Sequence, residues 1–176
     1  MIVWIVGLSG SGKTTIGKEL YRKFKQKKKN TVLLDGDEIR EVFKHDDRQS
    51  SYTIDGRRTN AERIVALCEM LDKQEINVVC CILSIFEDIR QDNRNRFGQY
   101  YEVFVDVELD KLKERDIKNL YAPAMNGEIK NVVGIDIPFQ KPINPDMVLD
   151  NNEDNLDVDF VTNNLLEAIE SRIDEY

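Results

Sequence analysis

Five short apolar runs punctuate the chain, separated by polar or amphipathic segments. Ile2–Val6 has no polar alternation and predicts a strand buried on both faces. Thr31–Leu34, Val78–Leu83, Tyr101–Asp106 and Met147–Leu149 predict four more strands. Helical patterning covers Lys13–Phe24, Glu38–Phe43, Glu87–Arg96 and Leu109–Arg115. Between Asn60 and Leu71, the residues Ile64, Leu67, Cys68 and Leu71 fall on one helical stripe. A closing helix over Asp159–Ile173 gathers Phe160, Val161, Leu165, Leu166, Ile169 and Ile173 on one apolar face, expected to be core. The lysine run Lys27–Lys29 reads as a solvated helix end, where cations suit the dipole. Residues 46–58 are expected to be polar and irregular, and residues 116–145 form a long polar segment rich in Gly and Pro. Buried strands alternating with helices predict an α/β protein with a five-stranded, mostly parallel sheet and helices on both faces. Such sheets hold ligands at the carboxyl ends of their strands.

The length of 176 residues fits one domain, 1–176, with 41% hydrophobic and 33% charged side chains, ordinary for a soluble chain. The 25 basic residues are outnumbered by 33 acidic ones, leaving a net charge of −8. That balance argues against a nucleic-acid polymer, whose binding needs many Lys and Arg against phosphates. It leaves small anions open, because basic residues can cluster locally. Cys68, Cys80 and Cys81 form neither a disulfide framework nor a CxxC spacing and are expected as buried reduced thiols. His45, the only histidine, stands among charges and is expected at the surface, which leaves Ser-His or His-metal chemistry without parts. No segment reaches the roughly 18 apolar residues of a membrane span, and Ile2–Val6 lacks the length and basic flank of a signal peptide. No membrane partner and a cytoplasmic location are expected.

Gly7-Leu8-Ser9-Gly10-Ser11-Gly12-Lys13-Thr14 fits G-x-x-x-x-G-K-[ST], the P-loop, placed between a predicted buried strand and a predicted helix, as that motif requires. Glycines let the backbone wrap phosphate oxygens with its N–H groups turned inward, and the helix N-terminus adds positive potential. Lys13 supplies a point charge for the β- and γ-phosphates, and the Thr14 hydroxyl a ligand for Mg²⁺. A plain Gly-Ser turn would connect the same elements but would not need a lysine aimed into a nest of amides. A nucleoside triphosphate with Mg²⁺ is therefore expected. The N-K-x-D and D-x-x-G signatures of a guanine-nucleotide switch do not appear as credible elements, and the long segment 116–145 fits a small kinase with a closing lid better. A P-loop nucleotide-binding switch with slow hydrolysis is the reading from another class. Beyond the second strand, Asp37 is placed to accept or orient a hydroxyl proton, or to cap the helix expected from Glu38. Asp35 can face a metal or make an Asx turn.

Leu34-Asp35-Gly36-Asp37 with Arg40, Asn60 with Arg63, Leu83-Ser84, Glu102-Val103-Phe104-Val105-Asp106, Arg115-Asp116, Leu120-Tyr121, Gly127-Glu128-Ile129-Lys130 and Gly134-Ile135-Asp136 extend the pattern. With the P-loop, and in this order and spacing, they resemble the adenylylsulfate kinase family over about residues 2–149. The resemblance implies a P-loop NTPase fold with a mobile lid at about 116–145, ATP and Mg²⁺ as cofactors, and a homodimer. It implies transfer of the γ-phosphoryl of ATP to the ribose 3′-hydroxyl of adenylyl sulfate. ATP would be held by Gly7, Ser9, Gly10, Ser11, Gly12, Lys13, Thr14 and Thr15, and the metal by Thr14 and Asp35. Lys13, Asp37 and Arg115 would be catalytic, with Arg115 opening the lid and facing the transferred phosphoryl. The acceptor would meet Asp37, Arg40, Tyr52, Arg57, Asn60, Ser84 and Lys130, with Tyr52 standing where the family usually stacks a Phe on the base. Arg63 is expected to be structural.

The chain departs from the family pattern around the acceptor and the lid and leaves the P-loop intact. Glu38 replaces an Asn, Gly56 the Asp before Arg57, Thr59 a Glu, and Glu62 the first of two paired arginines. Ser84-Ile85-Phe86-Glu87 stands for Ser-Pro-Tyr-Arg, and Leu120-Tyr121-Ala122-Pro123 for Leu-Tyr-Lys-Lys. Val132-Val133 replaces an aromatic just after the lid lysine. Losing that aromatic removes one slab of a base sandwich, and losing basic residues weakens the grip on a dianionic tail. These changes resemble the cytidine diphosphoramidate kinase branch of the family, which acts in bacterial capsule pathways on a cytidine nucleotide carrying phosphoramidate. Drift inside the ordinary family accounts for them equally.

Overall fold

A computed structural model describes residues 1–43, 50–153 and 156–174. The chain runs β1 (Ile2–Val6), α1 (Lys13–Lys27), β2 (Thr31–Asp35), α2 (Gly36–Val42), a 3₁₀ turn (Ser50–Tyr52), α3 (Ile54–Asp72), β3 (Asn77–Ile82), α4 (Glu87–Arg96) and β4 (Tyr100–Asp106). Then come α5 (Leu109–Arg115), α6 (Tyr121–Met125), β5 (Met147–Asp150) and α7 (Val158–Asp174). The five strands form one sheet in the order β2-β3-β1-β4-β5, with every pairing parallel. The expected α/β architecture is therefore present, and the sheet is parallel throughout.

Alternation along the strands sorts the apolar residues onto two faces. Val3 and Ile5 of β1, Val79 of β3 and Val103 of β4 pack with Ile16, Leu20 and Phe24 of α1 and Leu165, Leu166 and Ile169 of α7. Ile2, Trp4 and Val6 of β1 and Val78 of β3 pack on the opposite side with Ile64, Val65 and Cys68 of α3 and Ile89 of α4. Both faces being covered explains why β1 carries no polar residue. A third cluster, with Leu8, Leu112, Tyr121, Val132, Val133 and Ile137, seats the base of segment 116–145 beside the end of β1. Cys68, Cys80 and Cys81 are free and buried.

β1 lies at the centre of the sheet between β3 and β4, while β2 is reached by crossing over β3. The strand order reverses there, and the loop leaving β1 opens at the crevice where such sheets hold ligands.

Several boundaries differ from the sequence-based expectation, each for a local reason. Helix α3 begins at Ile54, within the stretch expected to be irregular, because the Thr53 hydroxyl caps it by accepting from the Gly56 N–H at 3.2 Å. Its first two turns are polar and show no apolar stripe. Helix α2 begins at Gly36 because Asp35 caps it, its Oδ1 accepting from the Asp37 N–H at 2.9 Å. The capping role open to Asp37 thus belongs to Asp35. Segment 116–145 contains the short helix α6, whose start is fixed by the Asp116 carboxylate accepting from the Leu120, Tyr121 and Ala122 amides. Phe160 is 62% exposed and departs from the apolar face of α7. His45 and part of the segment before Ser50 lie outside the described residues.

Candidate active site

The loop Gly7–Gly12 leaves β1 and turns directly into α1. Gly12 ends it at φ 97°, a backbone region that L side chains avoid. For a loop's N–H groups to face an anion, its carbonyls must turn away and find donors of their own. Here Leu8 O accepts from Lys13 Nζ at 2.6 Å and from the Ser11 N–H at 3.2 Å. Ser9 O accepts from Tyr121 Oη at 2.8 Å, and Ser11 O from Asn151 Nδ2 at 2.9 Å. Burial pushes the Lys13 ammonium down to about 8.

Thr14 Oγ1 donates to Asp35 Oδ2 at 2.8 Å, joining the start of α1 to the end of β2. A hydroxyl and a carboxylate side by side are hard oxygen donors, and they fit a Mg²⁺ ion that keeps several waters and phosphate oxygens. Among the described residues there is no cluster of three or more His, Cys, Asp and Glu that would cage a metal in protein ligands alone.

In the first turn of α2, the Asp37 carboxylate accepts from Arg40 at 3.0 Å and from Lys118 of segment 116–145 at 2.8 Å. Burial raises its pKa, but Lys118, Arg40 and Lys13 together outweigh that and hold the carboxyl below its usual range. Asp37 is thus ionised and aimed by two cations. Two guanidinium groups approach the Tyr52 ring, Arg40 at 4.7 Å and Arg57 at 5.4 Å from its centroid. Arg57 also donates to Tyr52 O and to Asn131 O, both at 2.8 Å, which ties α3 to segment 116–145.

These groups surround one cavity of about 760 Å³. It is lined on the P-loop side by Ser9, Lys13, Thr14 and Asp35, and on the far side by Asp37, Arg40, Tyr52, Arg57, Asn60 and Lys130. The structure thus gathers most of the residues that the sequence pointed to. Cys81 also lines it, but burial and then Asp35 push its thiol up to about 12, so it is no nucleophile.

Among the expected residues, Gly7, Gly10, Ser11, Gly12, Thr15, Ser84 and Arg115 are not in the cavity lining. Ser84 is 1% exposed, outside the cavity lining, and its carbonyl accepts from Arg90. Arg115 is also outside the lining: its guanidinium donates to Asn151 O at 2.9 Å and Asn152 O at 3.1 Å. The loop after β5 engages it because α5 ends beside that loop. Thr15 is exposed on the first turn of α1. Lys118 was missed by sequence reasoning. Its signal was a lone lysine between Arg115-Asp116 and Leu120-Tyr121, inside a matched stretch. Asn151 gave no sequence signal, since its contact spans 140 positions.

The sheet order, the cradle and the paired Thr14–Asp35 define a P-loop phosphotransferase. The sequence profile of the adenylylsulphate kinase family matches residues 1–150. The chain is 41% identical to cytidine diphosphoramidate kinase of Campylobacter jejuni over 169 residues, 96% of this chain and 92% of that one. It is 38% identical to adenylyl-sulfate kinase of Halothermothrix orenii over 147 residues, 84% of this chain and 78% of that one. Among solved structures it is similar to Mycobacterium tuberculosis APS kinase in complex with AMPPNP and APS, with a TM-score of 0.84, 30% identity and 96% of both chains covered. The chain belongs to the adenylylsulphate kinase family.

Proposed function

We propose that the protein transfers the γ-phosphoryl of ATP to the ribose 3′-hydroxyl of cytidine diphosphoramidate. The observation that carries the acceptor half is Val132, 3% exposed in the cavity wall. At this place the family pattern has an aromatic. Tyr52 is then the one aromatic lining the cavity among the described residues, which suits a smaller base than a purine held between two rings. The departures from the family pattern cluster around this acceptor half, and the similarity to the Campylobacter jejuni enzyme covers nearly the whole chain.

In this reading the P-loop amides and Lys13 hold the triphosphate, and Thr14 and Asp35 hold the Mg²⁺. A Mg²⁺ held there would supply positive charge against the phosphates. Asp37, aimed by Arg40 and Lys118, takes the proton of the 3′-hydroxyl as its oxygen bonds to the γ-phosphorus. The bond from that phosphorus to the β-bridging oxygen breaks, and ADP leaves with its electron pair. Arg40, Arg57 and Lys130 supply cations for the acceptor's diphosphate-like tail.

A second reading, adenylyl sulfate as acceptor, is supported by the family profile over residues 1–150 and by the similarity to the Mycobacterium tuberculosis structure. A coupled ADP assay with both acceptors distinguishes them. The proposal expects a preference of about tenfold or more in kcat/KM for cytidine diphosphoramidate, since a cavity mismatch of one ring is worth 1.4 kcal/mol or more. The reverse preference selects adenylyl sulfate. Equal ADP production without any acceptor would select a nucleotide-binding switch.

A further inference from the structure

The phosphate cradle holds only part of its own shape, through the Leu8 carbonyl. Two of its carbonyls are anchored from outside, by donors on elements far away in sequence. Tyr121, 2% exposed at the start of α6, donates its hydroxyl to Ser9 O at 2.8 Å. Asn151, just past β5, donates its side-chain amide to Ser11 O at 2.9 Å. Each of these polar groups is engaged by a loop carbonyl, and neither side chain is among those lining the cavity. We propose that Tyr121 and Asn151 are positioning residues of the donor site, pinning the Ser9 and Ser11 carbonyls outward so that the P-loop amides face the triphosphate. The inference rests on the donor half of the function proposed above, and not on the identity of the acceptor.

Both pins are fixed in turn. Tyr121 sits in the cluster formed with Leu8, Leu112 and Val132, and the Asp116 carboxylate holds its backbone amide at 2.9 Å. Asn151 donates its backbone N–H to Asp106 O at the end of β4, also at 2.9 Å. Its own carbonyl accepts from Arg115 at 2.9 Å. The cradle is thereby connected to the lid through Tyr121 and to the lid's opening residue through Asn151. The fit at Asn151 is close: a Cβ on Gly12 would meet its Nδ2 at 2.8 Å and displace that side chain, and the φ of 97° at Gly12 itself favours glycine. Rotation of a peptide in such a loop exchanges an inward N–H for an inward carbonyl, which repels phosphate rather than binding it.

The test uses Tyr121→Phe, which removes one oxygen, and Asn151→Asp, which keeps the shape but turns a donor into a charged acceptor facing Ser11 O. Binding of AMPPNP with Mg²⁺ is measured by calorimetry without acceptor, and steady-state kinetics are measured beside it. Tyr121→Phe is expected to raise the nucleotide Kd and the KM for ATP about three- to tenfold, and Asn151→Asp about tenfold or more. In both, kcat at saturating ATP and the KM for acceptor stay within about twofold, because the pins act on binding of the donor. Nucleotide Kd within about twofold of wild type in both variants overturns the inference, as does a loss of kcat with Kd unchanged. A shift in one variant alone keeps the pin at that residue and overturns it at the other. If Asn151→Asp fails to fold, Tyr121→Phe decides. Failure of the wild-type protein to bind AMPPNP would refute the donor reading itself, whereas unchanged variants refute only the pins.

Discussion

Lys118 Nζ lies 2.8 Å from Asp37 Oδ2, an ion pair that joins the lid segment to the first turn after β2 across 81 positions of sequence. Asp37 thus has one partner on its own helix, Arg40, and one on the lid. The carboxylate proposed to take the hydroxyl proton is thus oriented from two elements, α2 and segment 116–145. Asp37→Asn is expected to lower kcat about 10²-fold or more. Lys118→Met is expected to lower it about tenfold, and to cost little more in the Asp37→Asn background, because the two act as a unit. A double-mutant cycle on kcat checks this; additive losses would separate the two residues.

The Lys13 ammonium sits at about 8, lowered chiefly by burial. A bound triphosphate favours the charged form, so binding raises this pKa. Affinity gained in that way is fully present below about 8 and is lost as pH rises through it, up to about tenfold per pH unit. Calorimetry of AMPPNP binding between pH 7 and 10 is expected to show proton uptake that grows above pH 8. Lys13→Arg, charged throughout, is expected to abolish the uptake.

Gly56 brings α3 against the 3₁₀ turn that carries Tyr52: a Cβ there would meet Ser50 O at 2.1 Å and Ser51 Cα at 2.8 Å. These are backbone atoms and cannot give way locally. Gly56→Ala is expected to cost about 1–3 kcal/mol by thermal or urea unfolding. It is also expected to raise the KM for acceptor more than that for ATP, because the turn presents Tyr52 to the acceptor half alone.

Val132→Phe returns the aromatic of the family pattern to the cavity wall. Under the proposed reading it narrows the acceptor site and shifts the kcat/KM ratio toward adenylyl sulfate by about tenfold. The KM for ATP is expected to stay unchanged. An unchanged acceptor ratio would remove Val132 from the specificity argument.

The fold was legible where burial imposed a pattern. Ile2–Val6 could only be a strand covered on both faces, and the P-loop residues after it fixed the crevice. The start of α3 was not legible, because its first turns, Asp55 to Thr59, carry no apolar stripe and depend on the Thr53 cap. The roles of Asp35 and Asp37 were separable only in three dimensions: both lie at a strand end, and the 2.9 Å contact from the Asp37 amide decides which one caps. Most of the candidate site followed from motif residues that converge on the cavity. Lys118 and Asn151 were missed because their meaning lies in contacts made across the sheet, to Asp37 and to Ser11 O. Arg115 was expected toward the phosphoryl group, yet it donates to two carbonyls after β5, a contact with no local signature.

The most direct measurement is the position of the new phosphate. The protein is incubated with Mg-ATP and cytidine diphosphoramidate, ADP is followed by a coupled assay, and the product is located by phosphorus and proton NMR. The account predicts ADP formed only with acceptor present and the new phosphate on the ribose 3′-oxygen. ADP release independent of any nucleotide acceptor, or a phosphate on another atom, would contradict it.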